Sequence, residues 1–186
     1  MRLKKKALGL VSAGLVVGAF ATTSAISTSS YATTMTRLSL SEIAQSSSAC
    51  VIGEAISVNY GRDANGVFTL TTFRVTKSAF GDAGNTVVVR SAGGRYKTSK
   101  LSVVAVTASS PSFMVGDQAM LFLTSASDGN YAVTGFSQGA FAVRQRGGQS
   151  LVALPNDMGG ATGLTTAIDR AISARSEPAG LGSLEQ

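Results

Sequence analysis

The chain has 186 residues, with 16 Lys and Arg against 10 Asp and Glu, so its formal net charge is +6. It contains no histidine and a single cysteine, which excludes Ser-His-Asp and Cys-His nucleophilic sites, histidine-ligated zinc and an intrachain disulfide. A basic protein invites a search for nucleic-acid or membrane-surface binding, and the distribution of the charge decides whether that search is justified.

Residues 1–32 have the composition of a secretory signal peptide. Four cations lie within 1–6, an uncharged apolar run of 14 residues follows over 7–20, and small residues come next. Cleavage signals end at Ala25 and at Ala32, and the second suits a signal peptidase better. An uncleaved anchor is the alternative, but a bilayer span needs about 20 apolar residues. We therefore expect an exported protein, periplasmic or extracellular, with no membrane span after cleavage.

Cleavage after Ala32 changes what the net charge means. It removes four cations and no acids, which leaves 12 basic and 10 acidic residues and a net charge of +2 over 154 residues. The global charge of the mature chain therefore gives no support for a polyanion-binding protein, and no nucleic-acid partner is expected.

The mature chain is predicted to begin with a short helix and to continue as β-strands. Ser39 and Glu42 have the spacing of a capping box. From Cys50 onward, runs rich in Val, Thr and Phe alternate with turns of Gly, Asn and Asp, which is typical of strands. Gly93-Gly94 is interpreted as a turn. The predicted strands are 50–59, 67–77, 86–91, 101–108, 118–124, 131–136, 140–144 and 151–154.

Short strands at this spacing favour a sandwich or barrel over alternating βαβ units. After Gly159-Gly160, an amphipathic helix is predicted because apolar residues recur every fourth position. These residues are Leu164, Ile168 and Ile172, with Ala167 and Ala171 beside them. We expect this helix to dock on the β body, and binding of a partner is the alternative. The predicted organisation is a signal peptide over 1–32, a β-barrel domain over 33–158, a helix over 159–175 and a flexible tail over 176–186.

Two residue types are given structural interpretations. Cys50 is followed by Val51 and Ile52, which predicts a buried thiol that acts as a small hydrophobic group; a reactive or intermolecular thiol is the alternative. Aspartates in predicted turns are favoured there for their local hydrogen bonds, so we interpret them as turn residues and not as glycosidase acids or calcium ligands. These aspartates are Asp63, Asp82, Asp117 and Asp128.

The strongest local charge feature of the mature chain is a basic stretch without any acidic residue between positions 83 and 116. Clustered cations beside an aromatic ring could bind an anionic polysaccharide or another envelope or matrix protein. The alternative is a solvated hairpin loop whose charges protect a sheet edge. No catalytic residue, metal ligand or cofactor is predicted. The candidate ligand-binding residues are Arg90, Arg95, Tyr96, Lys97 and Lys100.

The chain resembles a group of uncharacterised exported bacterial proteins in its strand-and-turn patterns over about residues 36–145. The patterns are Leu38-Ser39-Leu40, Val51-Ile52-Gly53-Glu54-Ala55, Phe113-x-Val-Gly-Asp117 leading to Leu121-Phe122-Leu123, and Gly135 to Val143. That group is similar to the OB-fold and to netrin-like or metalloprotease-inhibitor-like modules. The resemblance implies a mainly β fold with a small closed or partly open antiparallel barrel, a short N-terminal helix and a C-terminal amphipathic helix.

The inhibitor mechanism of the wider class is not implied for this chain. It uses an N-terminal cysteine that chelates the target's metal, whereas Thr33 follows the predicted cleavage site and Cys50 lies inside the chain. We therefore predict an exported, non-enzymatic binding or structural module of the cell envelope or extracellular matrix. The alternatives are a hydrolase of unfamiliar type without histidine and a loop-based protease inhibitor. A serine–lysine hydrolase needs no histidine, but no lysine follows Asp117.

Overall fold

Residues 35–126 and 128–177 are described by the structure, a computed structural model. The predicted signal peptide over 1–32 and most of the tail predicted over 176–186 lie outside the described residues. All described helices and strands belong to the unit that begins at Thr36. None of the helices in these two ranges is long and apolar enough to cross a bilayer.

Strands dominate the described residues, which confirms the predicted mainly β class. The helices are α1 Leu40–Gln45 and α2 Leu164–Ser176, and a 3₁₀ turn lies at Asn156–Met158. The strands are β1 Ala49–Asp63, β2 Gly66–Phe80, β3 Thr86–Ala92, β4 Gly94–Lys97, β5 Ser102–Ala105, β6 Gln118–Ser125, β7 Tyr131–Val133, β8 Ala140–Arg146, β9 Gln149–Ala153 and β10 Ala161–Gly163.

Eight of these strands form one mixed sheet in the order β1-β2-β3-β7-β6-β8-β9-β10. β1 also pairs with β6, so the series of hydrogen-bonded neighbours runs from β1 through β2, β3, β7 and β6 back to β1. Every pairing in this series is antiparallel except that of β3 with β7, which is parallel at Val89 and Tyr131. The expectation of a purely antiparallel arrangement is therefore wrong at this contact. β4 and β5 form a separate two-stranded sheet.

The first part of β1, over residues 49–55, and the middle of β6, over residues 119–123, are buried on both faces because they lie between two hydrophobic cores. In β6, Ala119, Leu121 and Leu123 belong to the first core. Met120 and Phe122 belong to the second core, on the opposite face. Successive side chains of a strand point to opposite faces, so a strand with a core on each side must be apolar throughout. This explains the uninterrupted apolar run from which β6 was predicted.

The capping box at the start of α1 is confirmed. The Ser39 hydroxyl accepts a hydrogen bond from the Glu42 N–H at 3.2 Å, and the Glu42 carboxylate accepts one from the Ser39 N–H at 2.7 Å. These contacts satisfy backbone donors that the first helical turn leaves free. They fix the start of α1, whose Ile43 and Ala44 are buried in the second core.

α2 docks on the β body as expected, and the stripe that it buries is centred on the alanines that were predicted to lie beside the Leu–Ile series. Ala167, Ala171 and Ala174 are buried in the second core, whereas Ile172 is exposed. The small alanine side chains let the helix backbone approach the sheet closely, and Leu164 and Ile168 pack at the sides as partly buried residues. The apolar pattern therefore predicted the helix and its docking, and packing geometry decided which stripe faces the core.

Several predicted boundaries were wrong because pairing between strands extends them. The strands predicted over 50–59 and 67–77 extend to Asp63 and back to Gly66, which leaves a two-residue turn between them. α2 begins at Leu164 and not at 159, because residues 161–163 pair with β9 as β10. β4 and β10 were not predicted, since their short sequences show no strand pattern without the strands that they pair with.

Candidate functional site

The structure divides the basic stretch between two places. Arg95, Tyr96 and Lys97 lie in β4, and Lys100 lies in the turn between β4 and β5. Arg90 lies in β3, where it pairs in register with Leu70 of β2. Four of the five predicted site residues therefore share the β4–β5 hairpin, and Arg90 belongs to the large sheet.

Arg90 makes structural contacts that its sequence neighbourhood did not reveal. Its guanidinium forms an ion pair with Asp63, lies 3.9 Å from an oxygen of Asp128 and stacks 3.7 Å from the ring centroid of Phe68. Hydrogen bonds from Asn130, and secondarily the charge of Arg90, lower the pKa of the Asp128 carboxyl. Arg90 thus connects the β1–β2 turn to the β6–β7 turn.

Two of the three cations of the hairpin lie on one exposed face. Arg95 and Lys97 are alternate residues of β4 and are both exposed, so they project from the same side. Tyr96 lies between them, is half-buried, and therefore projects from the opposite side, where the guanidinium carbon of Arg62 lies 6.0 Å from its ring centroid. Tyr96 is part of the hairpin but not of its cationic face.

The turn that carries Lys100 is organised by Thr98. The Thr98 hydroxyl accepts hydrogen bonds from the backbone N–H of Leu101 at 2.9 Å and of Lys100 at 3.3 Å. The Thr98 N–H donates to the Leu101 carbonyl at 2.7 Å. The exposed Lys100 side chain therefore starts from an ordered turn.

The positive charges of the hairpin are not neutralised within the described part of the chain. Arg95, Lys97 and Lys100 form no ion pair with any described residue, whereas Arg37 and Arg90 do. The surrounding sequence supplies no acid between positions 83 and 116. The hairpin consequently carries three exposed positive charges that are free to bind an anionic group.

Close backbone packing holds the hairpin against β1 and β2. The Gly93 N–H donates to the Val67 carbonyl at 2.8 Å, and the Thr69 hydroxyl donates to the Gly93 carbonyl at 2.8 Å. Gly94 has φ +135, and a Cβ atom at this position would lie 2.8 Å from a ring carbon of Tyr60. Only glycine fits this conformation and this close approach.

Two open cavities lie on either side of the segment 110–113. The larger, about 700 Å³, lies beside β8, and its charged lining residues are Asp117 and Arg144. The smaller, about 340 Å³, is called the hairpin groove here, and its walls include Tyr60, Thr69, Arg95, Val104, Val106 and Met114. Sequence reasoning missed both cavities, because segments far apart in the chain form their walls.

All four aspartates accept the local backbone hydrogen bond that their interpretation as turn residues predicts. In each case a carboxylate oxygen accepts a hydrogen bond from a nearby backbone N–H. The Asn65 N–H donates to Asp63 at 2.8 Å, and the Gly84 N–H donates to Asp82 at 3.3 Å. The Met114 N–H donates to Asp117 at 2.7 Å, and the Asn130 N–H donates to Asp128 at 3.1 Å. Asp117 in the larger cavity is thus held in a turn. No group of three or more Cys, Asp or Glu residues suited to a metal ion occurs within 35–126 and 128–177.

The buried position predicted for Cys50 is confirmed. Its side chain is enclosed in the second core beside Met120 and Phe122. Burial raises the pKa of the Cys50 thiol, because the charged thiolate is disfavoured away from water. The residue therefore acts as a small core side chain.

Comparison with known proteins gives no match: no protein-family model matches the chain, and no curated protein does either. The site must therefore be interpreted from its own geometry.

Proposed function

We propose that this chain is an exported, non-enzymatic β-barrel module of the cell envelope or extracellular matrix that binds an anionic partner through its β4–β5 hairpin. One observation carries the proposal: Arg95, Lys97 and Lys100 are exposed on one small hairpin, and none of them is ion-paired within the described residues. An anionic polysaccharide and an acidic protein are the two partner classes that fit this face.

The physical reason is the uncompensated charge. Like charges held close together repel, and an anionic partner removes this repulsion while it releases its condensed counterions. Each exposed pair contributes little by itself, so affinity requires that several cations act together. In the predicted alternative, these charges only protect a sheet edge and bind no partner. Binding experiments distinguish this alternative from the proposal.

The barrel and the export in this proposal rest on different observations. The return of strand pairing from β6 to β1 supports a small OB-like barrel, as the resemblance of the sequence implies. Export to the periplasm or to the exterior is supported by the composition of residues 1–32 alone.

The proposal is tested by the triple variant Arg95→Gln, Lys97→Gln and Lys100→Gln. The purified chain is applied to immobilised polygalacturonate and to immobilised polyglutamate, and the salt concentration that elutes it is measured. We expect the variant to elute at lower salt from at least one matrix, with a salt dependence that is weaker by about one released counterion per removed cation.

A matched control keeps the change in net charge the same. Arg74, Lys77 and Arg146 are exposed cations of the large sheet, and their replacement by Gln also removes three charges. The control should elute like the unchanged protein. Equal retention of the two triple variants on both matrices would show that the hairpin is not the binding site.

The predicted alternatives, a hydrolase without histidine and a loop-based protease inhibitor, remain untested predictions. No contact among the described residues favours either of them over binding. The larger cavity has an open shape and a turn-bound Asp117, and these features alone assign no chemistry to it.

A further inference from the structure

The outer edge of β5 carries backbone groups that no described segment pairs with. β4 and β5 form a two-stranded sheet of their own, and β4 packs against β1 and β2. Among the described residues, the backbone of 102–106 has no hydrogen-bonded segment other than β4. Such an edge is a template to which another extended chain can add as a strand.

Aliphatic side chains lie exposed beside this edge. Val104 in β5 is 65% exposed, Val106 is 89% exposed, and Met114 across the hairpin groove is 72% exposed. Apolar surface that is concentrated in one groove marks a site where another molecule removes it from water. The groove therefore favours a partner that has apolar side chains as well as an extended backbone.

The charges beside the same edge specify the sign of the partner. Arg95 pairs with Val104 and Lys97 with Ser102 across the hairpin, so these four side chains share one face. A strand added to β5 would lie next to Val104 and Ser102, within reach of the long cationic side chains behind them. Acidic side chains on that strand are attracted, and basic ones are repelled.

Two other partners fit the edge of β5 less well than an extended protein segment. A second copy that added its own β5 would bring Ser102–Ala105, which contains no acidic side chain, and would add a second set of three cations nearby, so the positive charges would stay uncompensated. A polysaccharide would satisfy the cations, but it offers no peptide N–H and C=O groups to the edge of β5. An extended protein segment satisfies the edge, the apolar groove and the charge together.

We propose that the partner is an extended protein segment with both acidic and aliphatic side chains, which adds to the outer edge of β5 as a third strand. This inference rests on the proposed function, because it names the class of anionic partner that the same hairpin binds. Backbone pairing with β5 provides the affinity, cover of the hairpin groove by aliphatic side chains adds to it, and Arg95 and Lys97 select acidic residues.

The first experiment uses a fluorescent peptide of about eight residues, enough for one strand. Its odd positions are valine and glutamate in turn and its even positions are threonine, so that one face of the strand carries both aliphatic and acidic side chains. Binding to the full chain is measured by fluorescence anisotropy. Two further peptides carry N-methyl groups on alternate amides. In one peptide the methylated amides lie along one edge of the strand, and in the other they lie along the opposite edge. Because only one edge can pair with β5, one methylated peptide should lose binding and the other should keep it.

The second experiment tests the groove with Val106→Asp and the control Ile172→Asp. Both residues are exposed and apolar, but Ile172 lies on α2, and both variants change the net charge equally. Val106→Asp should weaken binding of the unmethylated peptide by at least about tenfold, since it removes apolar cover and repels glutamate. Ile172→Asp should bind like the unchanged protein, and circular dichroism checks that both variants are folded.

The outcomes separate this inference from the proposed function. No binding of the unmethylated peptide, equal binding of all three peptides, or equal affinity of the two aspartate variants would each overturn strand addition. Retention on polygalacturonate that depends on the three cations, without peptide binding, would keep the proposed function and assign the hairpin to a polysaccharide. If the three hairpin cations affect retention on neither polygalacturonate nor polyglutamate, the proposed function itself is overturned.

Discussion

Arg90 and Arg95 provide the sharpest test of how the structure divides the basic stretch. The two residues are five positions apart and belong to one cluster in the sequence, but Arg90 is held by Asp63, Asp128 and the Phe68 ring. Arg95 has no ion pair among the described residues. We predict that Arg90→Gln lowers the stability of the fold and leaves binding to the anionic matrices unchanged. Arg95→Gln should weaken this binding and leave stability unchanged.

The magnitude follows from the contacts of Arg90. Its side chain is 29% exposed and that of Asp63 is 37% exposed, so solvent screens their ion pair to about 0.2–1 kcal/mol. The cation–π contact with Phe68 adds about 0.5–1 kcal/mol. Arg90→Gln should therefore lower the free energy of unfolding by about 1–2 kcal/mol, which corresponds to a Tm decrease of about 3–8 °C in a domain of this size.

Urea and thermal denaturation followed by circular dichroism measure this difference. Arg95→Gln removes the same charge and should change stability by less than about 0.5 kcal/mol, so the pair cancels any effect of net charge. Retention on the anionic matrices provides the second measurement. If both variants have the same Tm, or if Arg90→Gln weakens binding as much as Arg95→Gln, the division of the basic stretch is wrong.

Three further predictions concern the cores and the helices. Burial of Cys50 and the resulting rise of its thiol pKa should prevent reaction with a thiol reagent in the native protein, followed by absorbance, and rapid native labelling would contradict this. Ser39→Ala should lower stability at neutral pH by about 1 kcal/mol. Hydrogen bonds from Ser39 lower the pKa of Glu42, so the contribution of Glu42 to stability is complete above its unfolded-state pKa and is lost as the pH falls through the lower folded-state value. The urea midpoints of Ser39→Ala and of the unchanged protein should therefore differ less in acid than at neutral pH. Ala171→Leu should lower the urea midpoint through overpacking that costs about 1–3 kcal/mol, and an unchanged midpoint would show that α2 packs loosely.

The sequence by itself determined the features that depend on residues close together in the chain. The capping box needs only Ser39 and Glu42, and the turn role of Asp63 or Asp117 needs only an N–H two or three residues away. The β class follows from runs of a few residues, and the burial of Cys50 follows from its apolar neighbours. In each case the interacting groups are within one turn or one strand, so a short window of sequence contains the whole interaction.

The tertiary structure decided the features that depend on distant segments. The acid that pairs with Arg90 is 27 residues away in the sequence, so the absence of acids near the basic stretch gave no warning of it. β4 has a basic, glycine-containing sequence and becomes a strand only because β5 pairs with it.

The same reason separates the predicted site from the observed one. Composition located the cations of the hairpin, because charge is a property of single residues. The unpaired edge of β5 and the groove formed with Tyr60 and Met114 exist only after segments far apart in the chain have packed together. Charge could therefore be predicted from the sequence alone, whereas the surface on which that charge acts is a product of long-range packing.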